Sequence, residues 1–142
     1  MMHARQRGLT LVELMVVVAV MAIIATVAYP LYTAQVQKSR RADAKVALAA
    51  IAAAEERFYT INGAYTNTLS TLQVAPDIQS GVSDAGYYNL SVAHPGGDTQ
   101  QFTATAAASG TGAQASDTDC ATFTINHLGV KTATDGGGTN CW

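Results

Sequence analysis

At 142 residues, with 49% hydrophobic and only 13% charged side chains, the chain suits one domain but falls well short of the roughly 25% charged residues of an ordinary soluble one. The formal net charge of −2 argues against phosphate-backbone binding as the main activity, which needs clustered Lys and Arg. Seven of the eight basic residues lie at or before Arg57, and beyond Thr60 only Lys131 stands against six aspartates, so no specific nucleic-acid partner is expected.

Residues 1–8 are short and polar, with Arg5 and Arg7 and no acid. Leu9 to Tyr32 is then apolar except for one charge, Glu13. About 20 such residues cross a hydrocarbon core of about 30 Å as a helix. Arg5 and Arg7 lie directly against the run and place the N-terminus on the cytoplasmic side. Lys38, Arg40, Arg41 and Lys45 pull the other way, but they begin several positions beyond the exit. Three readings compete: a secretory signal cleaved after a small residue such as Ala28, a plain anchor, or a leader cut on the cytoplasmic side so that the apolar run is retained. Glu13 separates them. A carboxylate in the bilayer costs several kcal/mol unless paired, and it marks a functional position. A discarded signal or an inert anchor has no use for it.

Pro30 lacks an N–H and is expected to kink the helix rather than end it, because the helical pattern resumes beyond it. Thr33 to Tyr59 is alanine-rich and helix-prone. Ala44, Ala47, Leu48, Ile51, Ala54 and Phe58 recur at spacings of three and four, giving one apolar stripe. Lys38, Arg41, Lys45, Glu55 and Glu56 are placed mostly off that stripe. Leu9 to about Tyr59 as one helix would span on the order of 75 Å. The basic run Lys38-Ser39-Arg40-Arg41 reads as a solvated face or a lipid-headgroup contact before a nucleic-acid site.

Gly63 closes the helix. Residues 62 to 86 read as loop, with a short helical turn near Leu69–Leu72. Alternating strands are predicted at Tyr87–Val92, Phe102–Ala106, Cys120–Asn126 and Val130–Ala133. His94-Pro95-Gly96-Gly97-Asp98 and His127-Leu128-Gly129 form turns, and Ser109–Ser116 forms a linker. Helix first and meander after it make the fold class α+β. Cys120 and Cys141, behind a membrane segment, point to one disulfide in an oxidising compartment; two free thiols are the alternative. Their 20-residue interval is not zinc spacing. The disulfide would pin the glycine-rich tail from Asp135 to Trp142, flexible by composition.

His3, His94 and His127 are scattered, and no nucleophile–base arrangement emerges. No enzyme activity, cofactor or metal is expected. Asp117-x-Asp119 offers two carboxylates where Ca2+ wants 6–8 oxygens, so both are read as surface loop acids.

Arg5-Gln-Arg-Gly-Leu-Thr-Leu-Val-Glu-Leu-Met15 resembles the N-terminal motif of type IV pilins. The resemblance implies cleavage by a prepilin peptidase after Gly8, methylation of the new terminus at Leu9, and pairing of Glu13 with a neighbouring subunit's terminal amine during assembly. Two departures stand out: Leu9 replaces the commoner Phe, and Met21-Ala22 stands where many pilins have a helix-breaking Gly. Tyr59, Gly63, Tyr65 and the run from Asp119-Cys120 through Gly129-Val130-Lys131 to Cys141-Trp142 look most like minor pilins of the PilE type. The implied fold is a long N-terminal helix packed on a three- or four-stranded antiparallel sheet with a C-terminal disulfide loop. The implied divisions are leader 1–8, membrane and assembly half 9–32, amphipathic half 33–60 and head 61–142. The implied role is a structural subunit that primes or joins a type IV pilus serving twitching, adhesion or DNA uptake. Its partners would be other pilins, the prepilin peptidase and the inner-membrane assembly platform. Its location would be the inner membrane, single-pass and N-in, and then the pilus at the cell surface. A major pilin and a type II secretion pseudopilin are alternatives within the class. A soluble periplasmic binding domain freed by signal cleavage is the alternative outside it.

Overall fold

The computed structural model describes residues 10–112, 114–134 and 141–142. Gly8 and Leu9, and the tail between Asp135 and Asn140, lie outside the described residues. The chain divides into two units, one ending at Val36 and the other running from Gln37 to Trp142. One helix, α1 (Leu11–Asn62), contributes to both.

In the first unit α1 starts at Thr10, whose Oγ1 accepts the Glu13 N–H at 3.2 Å. This is the capping arrangement that satisfies an orphan donor of the first turn. The helix continues through Pro30, and the Thr33 hydroxyl donates to the Pro30 carbonyl at 2.9 Å. From Leu11 to Tyr32 every residue is exposed.

In the second unit the same helix becomes one-sided. Ala44, Ala47, Leu48, Ile51 and Ala54 are buried, and Phe58 packs against them, half-buried. The helix ends where Gly63 turns left-handed at φ 73°, its N–H donating to the Tyr59 carbonyl at 2.8 Å, as a glycine C-cap does. A 3-10 turn at Leu69–Thr71 matches expectation. A single-turn helix, α2 (Pro76–Gln79), was not expected, although Pro at its first position and Asp77 in its first turn are start signals.

Four strands follow: β1 (Tyr88–Ala93), β2 (Thr103–Ala108), β3 (Thr122–Asn126) and β4 (Lys131–Thr134). They pair antiparallel in sequence order. Register places Leu90, Ala106, Phe123 and Ala133 in one row and Val92, Ala104, Ile125 and Lys131 in the next. Because side chains alternate, the buried face carries Leu90, Val92, Ala104, Ala106, Phe123 and Ile125. The small alanines of β2 and of the α1 stripe join Tyr88, Phe102 and Phe123 in one core cluster. β3 starts two residues later than the sequence suggested because the Cys120 N–H donates to Asp117 Oδ1 instead. Cys120 and Cys141 are joined as a disulfide 21 residues apart, a loop whose closure is worth about 3 kcal/mol on the chain-entropy account.

Candidate assembly site

Glu13 sits in the first turn of α1, where the helix dipole favours a carboxylate. Around it Leu11, Val12, Leu14, Met15, Val16 and Val17 are all at least half exposed. The most apolar stretch of the helix has a mean hydropathy of 2.7, and none of it is buried within the chain. An apolar surface this continuous is covered by lipid or by another protein. The described residues place Glu13 and Pro30 on α1; Leu9, whose amine is the expected partner of a neighbour's Glu13, is outside them.

The head carries a second polar feature, which the sequence reading missed. Arg41 grips Asp117 with two hydrogen bonds, Nε to Oδ2 and Nη2 to Oδ1, both 2.7 Å. The side chains are 12% and 1% exposed, so the pair is desolvated and bidentate. Asp117 also accepts from Gln114 Nε2 at 2.6 Å and from the Cys120 N–H at 3.3 Å. Burial raises the Asp117 pKa, but the hydrogen bond and charge of Arg41 outweigh it and leave the carboxyl below its ordinary value. The same hydrogen bond raises Arg41. Asp117 is therefore neither a surface acid nor open to calcium: four donors fill its oxygens. Asp119 remains exposed. Nor is Arg41 available to a neighbour, because it fastens the 114–120 loop to α1. Gln37 adds a hydrogen bond to Ser116 at 3.0 Å.

Glu55 is the second correction. It is fully buried rather than off the stripe, because it follows Leu48 by seven and Ile51 by four. Its Oε2 accepts the Thr66 N–H at 3.0 Å, tying the helix to the following loop. Burial raises its pKa, and the Thr66 bond only partly offsets this. The spacing was legible; the charge concealed it. His94 and His127 lie in the turns where they were expected. Tyr65 lies tilted against Tyr59 and edge-on to Phe102, with ring centroids 4.6 and 4.9 Å apart.

A long N-terminal helix, a four-stranded antiparallel meander packed on its second half, and a disulfide holding the C-terminus together define the type IV pilin fold. Residues 30–124 match the family described as "Type IV minor pilin ComP, DNA uptake sequence receptor", and residues 3–29 match the prokaryotic N-terminal methylation motif. The first match spans more than half of the chain, and the chain belongs to that family of type IV minor pilins. Among solved structures, the chain is similar to a type IV pilin from Shewanella oneidensis, with 29% identity, a TM-score of 0.52 and coverage of 75% of this chain and 97% of that one. It is also similar to the non-core minor pilin PilV of Neisseria meningitidis, with 19% identity, a TM-score of 0.54 and coverage of 74% and 93%; this second likeness speaks to the fold. A search of the curated proteins gives no match. The chain is a minor type IV pilin, a structural subunit of a family that assembles with other pilins, and its methylation motif and apolar helix fit a membrane-anchored form.

Proposed function

We propose that this minor pilin is processed, anchored and assembled through its first residues. A prepilin peptidase cuts after Gly8 and methylates Leu9. Residues 9–32 hold the subunit in the inner membrane, with the N-terminus cytoplasmic, until the assembly platform transfers it to the pilus and so to the cell surface. Residues 1–8 are the leader, 33–60 the amphipathic half of the helix, kinked at Pro30 for want of an N–H, and 61–142 the head. The observation that carries the reading is Glu13, the only charge between Leu9 and Tyr32, set among exposed apolar side chains. A carboxylate and a terminal ammonium are each costly in lipid, and pairing them between neighbouring chains removes both costs. Mass spectrometry of the exported protein is expected to give a chain beginning at N-methylated Leu9; a chain beginning near Tyr29 overturns the proposal. Glu13→Ala is expected to leave the head folded and to cut incorporation into pili severalfold, measured by immunoblot of sheared filaments. Unchanged incorporation removes the role given to Glu13.

Reception of DNA, named in the family's description, is a second reading. Lys38, Lys45 and Lys131 favour it, since Lys38 and Lys45 stand seven residues apart on one face of α1 and Lys38 and Lys131 are exposed. The balance of charge opposes it, because residues 33–142 carry six basic against nine acidic side chains. Retention of duplex DNA at physiological salt, lost when the three lysines become alanine, would establish it. We expect no such retention.

A further inference from the structure

The apolar stripe of α1 outruns the sheet that covers it. Ile51 is fully buried and Ala54 is 3% exposed, but Ile61, further along the same face, is 79% exposed. Phe58, between them, is half-buried. Ala54, Arg57, Phe58 and Ile61 follow the i, i+3, i+4, i+7 spacing of one helix face. Together with Asn62, and with Thr71 and Gln73 of the connection to α2, they line a cleft of about 290 Å3. Small-molecule pockets run from roughly 300 to 1,000 Å3, so this cleft admits one large side chain rather than a helix or a duplex.

The cleft holds one charge. Arg57 is the only charged residue between Glu56 and Asp77. Three and four positions from it on the helix stand Ala53, Ala54, Thr60 and Ile61, none of which can neutralise a cation. Glu55 is buried on the Thr66 N–H, and Glu56 accepts the Tyr65 hydroxyl at 3.0 Å. Among the described residues Arg57 forms no ion pair. Its Nη2 donates across the cleft to the Gln73 carbonyl at 3.3 Å, which steadies the guanidinium and leaves most of its five donors for an anion. A planar fork of this kind suits a carboxylate, which it binds through two parallel bonds. Asn62 Nδ2 is taken by the Phe58 carbonyl at 2.9 Å, which leaves Oδ1 to accept a peptide N–H.

We propose that this cleft receives the end of a peptide chain whose last residue is apolar. The free α-carboxylate lies on Arg57, the terminal side chain covers Phe58 and Ile61, and the last peptide group meets the amides of Asn62 and Gln73. A phosphodiester backbone would supply the negative charge but no apolar body for Ile61. The chain's own end is not the occupant, because Trp142 donates its indole N–H to the Thr132 carbonyl at 2.7 Å and packs edge-on to Phe123. The partner is therefore a different protein or peptide, recognised by its C-terminus. The proposal depends neither on Glu13 nor on filament assembly.

The test uses the full chain in nanodiscs of zwitterionic lipid, with 13C in its isoleucine methyl groups. Ile61 reports on the cleft, and the buried Ile51 and Ile125 report on the fold of each variant. The probe is acetyl-Gly-Gly-Phe with a free carboxylate. It is expected to shift the Ile61 methyl saturably at millimolar concentration, as befits so small a ligand, and to leave Ile51 and Ile125 unmoved. Amidating the C-terminus of the probe is expected to weaken binding about tenfold, and replacing its Phe by Gly is expected to weaken it severalfold. Arg57→Gln is expected to bind the acid and the amide alike, at the weaker level, with the core methyls in their native positions. Arg57→Lys, which keeps the charge and loses the fork, is expected to retain a reduced preference for the acid. The proposal is overturned if the Ile61 methyl does not respond, if the amide binds as well as the acid, or if Arg57→Gln keeps the preference. It is also overturned if phenylpropionate, which has the ring and the carboxylate but no peptide group, binds as tightly as the probe. Displacement of the probe by duplex DNA at physiological salt would overturn it as well, since the cleft then serves nucleic acid.

Discussion

The two halves of α1 share a secondary structure and differ in what they require around them. Leu11 to Tyr32 is apolar on every side and exposed on every side. Ala44 to Ala54 buries one stripe against a sheet and offers charge elsewhere. Backbone hydrogen bonds are satisfied within the helix in both cases, so helix formation does not distinguish them. The distribution of side chains does. An all-round apolar helix needs an apolar solvent or other helices, while a striped one needs a single packing partner. One continuous element thus answers to two environments.

That contrast can be broken at several points. The largest effect is expected in the head at Asp117. Asp117→Ala leaves the Arg41 guanidinium buried without a partner and is expected to cost about 3–5 kcal/mol. Urea unfolding of the full chain in micelles, followed by fluorescence of Trp142, the only tryptophan, reads this loss. The pH dependence has a definite sign. The Asp117 pKa is lowered in the folded state, so its contribution is full above the unfolded value of about 4 and fades as pH falls through the lower folded value. Asp117→Asn should lack that acid-sensitive step.

A matched pair of substitutions tests the contrast itself. Val17 and Val46 are both more than half exposed. Val17→Lys is expected to cost about 2.5–3.5 kcal/mol of membrane insertion, read as the fraction of chain recovered with membranes. Val46→Lys is expected to change head stability by no more than about 0.5 kcal/mol. Equal costs at the two sites would mean that both halves see the same surroundings.

A small effect, and one of opposite sign, is expected at Glu55. Its pKa is raised by burial, so its favourable contribution holds at low pH, where folded and unfolded states are both protonated, and is lost as pH rises through the folded value. Glu55→Gln keeps an acceptor for the Thr66 N–H and removes the buried charge. It should stabilise the head at neutral pH by no more than about 1 kcal/mol and leave it unchanged below about pH 4. Destabilisation at neutral pH would show that the carboxylate bond to Thr66 outweighs desolvation.

Most of the architecture was legible from period and punctuation. The stripe Ala44–Ala54, Gly63 after the helix, the alternation of Phe123 and Ile125, and the turn glycines each follow from local rules, and strand ends moved by only one or two residues. The Arg41–Asp117 clamp was not legible, because its partners lie 76 residues apart and each read alone as an ordinary surface charge. Glu55 sat at a readable position but was set aside for its charge.

The sequence alone determined that this chain has a long helix with an unbroken apolar half, one acid within it, and an α+β head with a cysteine pair, because spacing, propensity and hydropathy are properties of neighbours in the chain. Only the tertiary structure decided which charges are spent inside the head and which remain outside. Folding brought Asp117 onto Arg41 and the Ala85 N–H onto Asp43. Desolvation and pairing depend on what the fold brings within a few ångströms, and no local pattern records that.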